Sequence, residues 1–251
     1  MVSSIYFFCE CHTSVQVPII FTMRLITSNV FFGELAMFLL LVTLVSCNLS
    51  EESTQISANK KDIIKTKVSA YVESLCPDCF AFIHDQLAPA FSKYSDYIQL
   101  DMVPFGNAEV YRHTTDREEV HCQHGPQECL GNLYEACANH LLQDKDPKTL
   151  MNYYDCLTVN PDQHDMKKSA KACAKKLEIN FETLSKCTKH EGPDLILDYG
   201  NRTEALAGRI GVPAIAFDDD FQPKEQDAIL SNFVNTLCDK LKGKKPSDCK
   251  N

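Results

Sequence analysis

A C-x-x-C motif, from Cys76 to Cys79, follows directly on a predicted strand. Residues 65–74 alternate apolar and polar side chains, which is typical of a strand. The motif opens a predicted helix, because Pro77 suits the first helical position, where its missing N–H would have no partner, and apolar residues follow at helical spacing. A second strand is predicted over 98–105.

The order strand, C-x-x-C, helix, strand is the opening of a thioredoxin unit. The pattern resumes after residue 211, with a short predicted strand at 214–217 and a final helix opened by Pro223. Amphipathic segments with scattered cysteines fill the stretch between. We therefore predict an α/β protein, a thioredoxin-like fold over residues 65–249 that carries a disulfide-rich helical insertion at about 107–192.

The chain contains thirteen cysteines, which points to an oxidising compartment and the secretory pathway. Residues 31–45 are strongly apolar and Arg24 lies upstream, the layout of a signal peptide. A membrane anchor is the alternative, but spanning a bilayer takes about 20 apolar residues. We expect residues 1–47 to be a signal-peptide region, with Met23 as a more typical start, and residues 48–64 to be a flexible lead-in. No anchor is expected in the mature form.

Thiol–disulfide exchange requires a thiolate and a second thiol that releases the mixed disulfide. Cys76 begins the helix, where free N–H groups and the helix dipole favour negative charge, so we assign it as the nucleophile. Cys79 lies about one turn deeper, and we assign it as the resolving cysteine. An ionised Asp78 carboxylate would raise the pKa of Cys76 and oppose this arrangement. The alternatives for the C-x-x-C motif are that it forms a structural disulfide or half of a zinc site.

Pro213 and Val212 are the predicted residues of a substrate groove. Thioredoxin folds place a cis-proline against the C-x-x-C, where the preceding backbone pairs with a bound substrate strand. An ordinary trans proline at the start of a strand is the alternative.

The formal net charge of −9 repels phosphate backbones, so we expect no nucleic-acid partner.

Residues 122–137 read CQHGPQECLGNLYEAC. They resemble the signature C-Q-H-G-x-x-E-C-x-x-N-x-x-x-x-C of the gamma-interferon-inducible lysosomal thiol reductase (GILT) family, and the resemblance runs from about Val68 to Cys249. The segment before Cys79 and residues 103–108 also look like that family. The matching signature positions are Cys122, Gln123, His124, Gly125, Glu128, Cys129, Asn132 and Cys137.

The resemblance implies a soluble thiol reductase that acts on disulfide-containing proteins, best in acid, without a metal or bound cofactor. A small thiol, which the sequence does not identify, would recycle the dithiol. The implied location is the lysosome or the extracellular space, in protein unfolding and degradation or in innate immunity. Alternatives are a secreted non-catalytic immune-modulating or binding protein on the same scaffold, and a disulfide oxidase or isomerase. The oligomeric state is not predicted.

The resemblance also implies that the signature cysteines form structural disulfides. Gln123, His124 and Gly125 either shape the substrate groove or serve turns and packing. Two N-x-[ST] sequons, at Asn48 and Asn201, are candidate glycosylation sites. The further structural disulfide candidates are Cys156, Cys173, Cys187, Cys238 and Cys249, of which the last two are expected to close the C-terminal tail.

Overall fold

The computed structural model describes residues 63–112, 118–159, 162, 164–206, 211–243 and 245–249. The expected signal-peptide region, with Met23 and Asn48, lies outside these residues, as does the expected lead-in apart from its last two residues. Within the described ranges, no helix combines the length and the apolar character needed to cross a membrane.

A four-stranded sheet in the order β2-β1-β5-β6 carries the fold. Strand β1 (Thr66–Val72) pairs in parallel with β2 (Ile98–Pro104) and antiparallel with β5 (Ala214–Phe217), and β6 (Asp220–Phe221) lies at the edge. All but one of the β1 residues are buried, as expected of a central strand whose two faces are both covered. The predicted strands match β1, β2 and β5 to within two residues at each end.

The crossover from β1 to β2 is helical. It consists of α1 (Pro77–Phe82), a π-helical turn (Ile83–Leu87) and α2 (Ala88–Tyr94). The sequence predicts that Pro89 kinks or ends this helix, because proline has no N–H for the helical ladder. The helix does not end there, since the π turn lies directly before α2 and places Pro89 in the first turn of α2, where a missing N–H is tolerated.

Between β2 and β5, the described residues form a two-stranded hairpin and five helices. The four amphipathic segments seen in the sequence are the first four of these helices. The hairpin was not predicted, because its strands have four residues each and are mostly exposed, so no apolar alternation marks them. The elements are β3 (Glu109–Arg112), β4 (Glu118–His121), α3 (Pro126–Leu142), α4 (Pro147–Val159), α5 (Met166–Lys176), α6 (Phe181–Cys187) and α7 (Gly192–Glu204).

Four disulfides lie in the described part of the chain. Three of them hold the insertion, and the one between Cys137 and Cys187 joins α3 to α6 across 50 residues. The two cysteines of the C-x-x-C motif are free thiols. The pairs are Cys122–Cys129, Cys137–Cys187, Cys156–Cys173 and Cys238–Cys249.

The C-terminal segment differs from the single final helix predicted after Pro223. A 3-10 turn (Pro223–Glu225) leads into α8 (Gln226–Ser231), and a separate helix α9 (Phe233–Lys240) follows. Asn232 separates the two helices because its backbone leaves the helical region, at φ −152°, while its side chain caps α9.

Candidate active site

Cys76 is the N-cap residue of α1. Its Sγ accepts a hydrogen bond from the backbone N–H of Cys79 at 3.3 Å, and its thiol donates to the carbonyl oxygen of Val212 at 3.8 Å. Cys76 is 6% exposed and Cys79 is fully buried. Of the two sulfur-bearing residues, it is therefore Cys76 that retains contact with solvent.

The surroundings move the pKa values of the two thiols apart. The pKa of Cys76 is lowered, chiefly because the Cys79 thiol donates a hydrogen bond to its sulfur, and backbone N–H groups of Cys79 and Asp78 add to this effect. Burial raises the pKa of Cys79 well above its ordinary value. A low pKa favours the attacking thiolate, whereas a high pKa keeps the second thiol protonated until it is needed.

The carboxylate that opposes the Cys76 thiolate is a different one from that expected. Asp78 acts on Cys76 through its backbone N–H, which lowers the pKa, and the charge that raises the pKa comes from Glu73. Glu73 lies one residue beyond β1 and is 2% exposed. In the sequence it looks like an ordinary polar residue at a strand end, and its position three residues before Cys76 is the only signal that marks it.

The Glu73 carboxyl contacts the segment after β2 and the signature. Its Oε2 accepts a hydrogen bond from the backbone N–H of Asn107 at 2.8 Å, and its Oε1 lies 3.5 Å from Nδ1 of His124. The pKa of Glu73 is raised to about 6, chiefly by burial and also by the charge of Glu128, whereas the hydrogen bond from Asn107 and the charge of His124 act in the opposite direction. This carboxyl therefore changes charge near neutral pH, close to both cysteines.

His124 and Glu128 bind each other at the start of the signature. Nδ1 of His124 lies 2.5 Å from Oε2 of Glu128, and the His124 backbone N–H donates to Oε1 of Glu128 at 3.0 Å. Glu128 is fully buried. Burial lowers the pKa of His124, but the hydrogen bond to Glu128 and the charges of Glu128 and Glu73 outweigh that effect and raise it.

The signature also fastens the segment that leads from β1 to Cys76. The backbone N–H of Ser74 donates to Oδ1 of Asn132, and the Ser74 hydroxyl donates to the carbonyl of Glu128, both at 2.9 Å. Gly131 lies so close to Ser74 that a Cβ at that position would collide with it. The first turns of α3 therefore fix, through Ser74, the position of the segment that precedes Cys76.

A groove of about 640 Å³ lies beside the motif. Val212 and Pro213, the two residues predicted for a substrate groove, are part of its lining, and the peptide bond between them is cis. The lining combines apolar side chains with the carboxyls of Asp78, Asp85 and Asp227, and it includes no Lys, Arg or His among the described residues. An extended, partly apolar chain with positive charge fits such a surface.

Gln123 and Gly125 belong to the same signature as His124 and Glu128, whereas Asn201 lies on α7. The side-chain oxygen of Gln123 accepts a hydrogen bond from the Asn107 amide at 2.9 Å. Gly125 has a φ of 89°, a left-handed conformation that favours glycine, and it precedes α3. Asn201 is exposed on α7, as a glycan acceptor must be.

Glu73, His124 and Glu128 are also one group able to hold a metal ion. One ligand atom from each lies within 4.8 Å of the others, and imidazole and carboxylate are common ligands of divalent cations. These atoms already hydrogen-bond to one another and to the backbone, so a cation is not needed to satisfy them.

The fold and the two thiols with separated pKa values define a thioredoxin-like thiol–disulfide oxidoreductase. A family model described as Gamma interferon inducible lysosomal thiol reductase (GILT) matches residues 67–177. The chain is 32% identical over 198 residues to a GILT-like protein of Anopheles gambiae, and the aligned region covers 74% of this chain and 80% of that protein. It is 31% identical over 207 residues to the GILT of Carassius auratus, at 81% and 77% coverage. The chain belongs to the GILT family and is a thiol reductase.

Solved structures resemble it more distantly. DsbA of Chlamydia trachomatis is 14% identical, with a TM-score of 0.49 over 68% of this chain and 86% of that one. BdbD of Bacillus subtilis is 17% identical, with a TM-score of 0.48 over 71% and 88%.

Proposed function

We propose that the protein reduces disulfide bonds of protein substrates, with Cys76 as the nucleophile and Cys79 as the resolving thiol. The observation that carries the proposal is the asymmetry of the pair: Cys76 has a lowered pKa and residual exposure, and Cys79 is fully buried with a raised pKa. This is the order of reactivity that a reductase needs.

The reaction balances in two exchanges. The Cys76 thiolate attacks one sulfur of the substrate disulfide, so that an enzyme–substrate disulfide forms and the first substrate sulfur leaves and takes up a proton. Cys79 then loses its proton and attacks the Cys76 sulfur, which forms the Cys76–Cys79 disulfide and releases the second substrate thiol. Two equivalents of a small thiol reduce the enzyme again.

The lowered pKa of Cys76 supports activity in acid. An ordinary cysteine with a pKa of about 8.5 is only about 0.03% thiolate at pH ~5, so an acid-working reductase must shift this equilibrium. Activity then falls with decreasing pH only as the pH passes below the lowered pKa. Together with the disulfides of the insertion, which require an oxidising compartment, this supports a place in the lysosome or outside the cell, in protein degradation or innate immunity.

The test of this function is a disulfide-reduction assay on the chain from about Asn48, with a disulfide-bonded protein as substrate and free cysteine as recycling thiol, from pH ~4.5 to ~8. We expect turnover that persists at the acid end. The variant that lacks both motif sulfurs is the baseline. Turnover no higher than this baseline at every pH would reject a reductase in favour of a binding protein. Net oxidation of reduced substrate would point to an oxidase.

The acidic lining of the groove predicts a preference among substrates. Peptide disulfides with lysines beside the reactive cysteine should have a higher kcat/KM than matched peptides with glutamates, by about two- to fivefold for each charge that meets a carboxylate. Asp85→Asn combined with Asp227→Asn should reduce this preference, and high salt should do the same. Asp194→Asn, at an exposed position on α7 outside the lining, is the matched control. Equal kcat/KM for both peptides at low salt would contradict the assignment of this groove.

A further inference from the structure

The groove beside the motif has two helical walls. One wall is formed by α1 and the π turn that follows it, and the other is formed by α8. The cis peptide bond between Val212 and Pro213 also belongs to the lining, and the carbonyl oxygen of Val212 lies 3.8 Å from the sulfur of Cys76. A substrate chain in this groove therefore contacts α8 while its disulfide approaches Cys76.

Helix α8 is too short to be stable without contacts to the rest of the fold. It has six residues, whereas an isolated helix of fewer than about 12 residues is marginal in water. Ile229 is its one buried residue, at 1% exposure. Apolar packing therefore fixes α8 at a single point, so its orientation depends on the hydrogen bonds at its two ends.

Gln226 joins the start of α8 to the edge of the sheet. Its Oε1 accepts a hydrogen bond from the backbone N–H of Ile215 at 2.8 Å, and its Nε2 donates to the carbonyl oxygen of Ile215 at 2.9 Å. The pairing of β6 with β5 takes in Ala216 and Phe217, so Ile215 lies beyond it. The Gln226 amide therefore serves as the strand partner of Ile215, two residues after the cis-proline.

Gln86 fixes the other end of α8. Its Oε1 accepts a hydrogen bond from the backbone N–H of Phe233 at 2.9 Å, and its Nε2 donates to the carbonyl oxygen of Leu230 at 2.5 Å. Such groups at helix ends have no partner within their own helix. Because Gln86 lies in the π turn, its side chain connects one wall of the groove to the other.

We propose that Gln86 and Gln226 are positioning residues that hold α8 as a fixed wall of the groove, and that they thereby determine how tightly an extended substrate chain binds beside Cys76. The inference rests on the proposed reductase function. Both side chains act through α8 and not on the reacting sulfurs. A wall that is already ordered improves affinity, because binding then does not have to order it.

The experiment compares two substrates in the same enzyme. An uncharged peptide disulfide occupies the groove, whereas bis-hydroxyethyl disulfide reaches Cys76 but is too small to fill the groove. The ratio of their kcat/KM values, peptide over small disulfide, should fall by about fivefold to tenfold in Gln86→Ala and in Gln226→Ala, as the loss of such hydrogen bonds implies. For the peptide, the change should lie in KM more than in kcat.

Gln226→Glu tests the hydrogen bonds in a variant that retains the side-chain shape. A protonated carboxyl offers one donor and one acceptor, as the amide does, whereas a carboxylate offers acceptors only. Relative to the wild type at the same pH, the ratio in this variant should be close to normal at pH ~4 and as low as in Gln226→Ala at pH ~7. The comparison is made within one protein, so it decides the matter even where Gln226→Ala folds poorly.

Gln222→Ala is the matched control, because Gln222 is exposed and its side chain donates to Asp220, outside the lining. The substitution keeps the backbone carbonyl oxygen of Gln222, which also accepts a hydrogen bond from Gln226 at 3.1 Å. The ratio should stay at the wild-type value in this control.

The inference is overturned if the ratio stays normal in both alanine variants, if both substrates lose kcat/KM equally, or if Gln226→Glu has the same relative ratio at both pH values. Failure of the proposed function gives a different result, because the wild type would then reduce neither substrate and both proposals would fall together. A wild type that reduces both substrates, with an unchanged ratio in the variants, rejects this inference alone.

Discussion

Cys76→Ser should abolish turnover, and Cys79→Ser should stop the reaction after the first exchange. A serine hydroxyl does not ionise in the accessible pH range, so without the Cys76 sulfur no mixed disulfide forms. Without the Cys79 sulfur the mixed disulfide forms and persists, because nothing within the enzyme displaces the substrate. Non-reducing electrophoresis and intact-mass measurement should find the substrate adduct in Cys79→Ser and none in Cys76→Ser.

The pair Cys238→Ser and Cys249→Ser is the matched control for these substitutions. It also removes two sulfurs, but they form the disulfide of the C-terminal tail, outside the motif. This control should keep turnover at temperatures where it remains folded. Equal trapping of substrate by both single variants of the motif would show that the two thiols exchange roles, and full turnover in Cys76→Ser would remove the basis of the proposed mechanism.

The fold could be predicted wherever hydrophobic periodicity is strong. The amphipathic helices of the insertion carry clear patterns because one face of each must be apolar to pack, and β1 carries one because apolar residues occupy alternate positions, although both of its faces are covered. The β3–β4 hairpin packs through a single apolar pair, Val110 and Val120, so its sequence carries too short a pattern to be recognised. Pro89 does not end the helix, because the rule that proline ends a helix assumes regular α geometry, and a π turn places this proline in a first turn instead.

The site was predicted only as far as its chemistry is local. Cys76 and Cys79 are recognisable because a C-x-x-C at a helix start has the same meaning in many sequences. Glu73 was missed because its pKa is raised by burial and by the charge of Glu128, which lies more than 50 residues further along the chain. A pKa is a property of the folded surroundings, so neither this shift nor the link between the signature and the thiols is visible in the sequence.

Among the four disulfides of the described residues, the one between Cys137 and Cys187 should cause the largest decrease in the free energy of unfolding when it is removed. A cross-link restricts the unfolded chain more strongly when it closes a longer loop, and at a separation of 50 residues its loss should lower the free energy of unfolding by about 4 kcal/mol. Domains are typically stable by only about 5–15 kcal/mol, so this is a large share. Urea unfolding of Cys137→Ala/Cys187→Ala, monitored by circular dichroism, measures the change.

The same substitutions at Cys122 and Cys129 provide the comparison, because that disulfide spans only 7 residues and should contribute about 2 kcal/mol. Both pairs are best measured in a background of Cys76→Ala and Cys79→Ala, since free thiols would otherwise exchange with the remaining disulfides. The long-range disulfide joins α3, which carries the signature, to α6, so its loss should loosen the helical insertion as a unit. If both pairs cost the same, loop length does not govern their contribution, and native-state packing around the sulfurs must account for it instead.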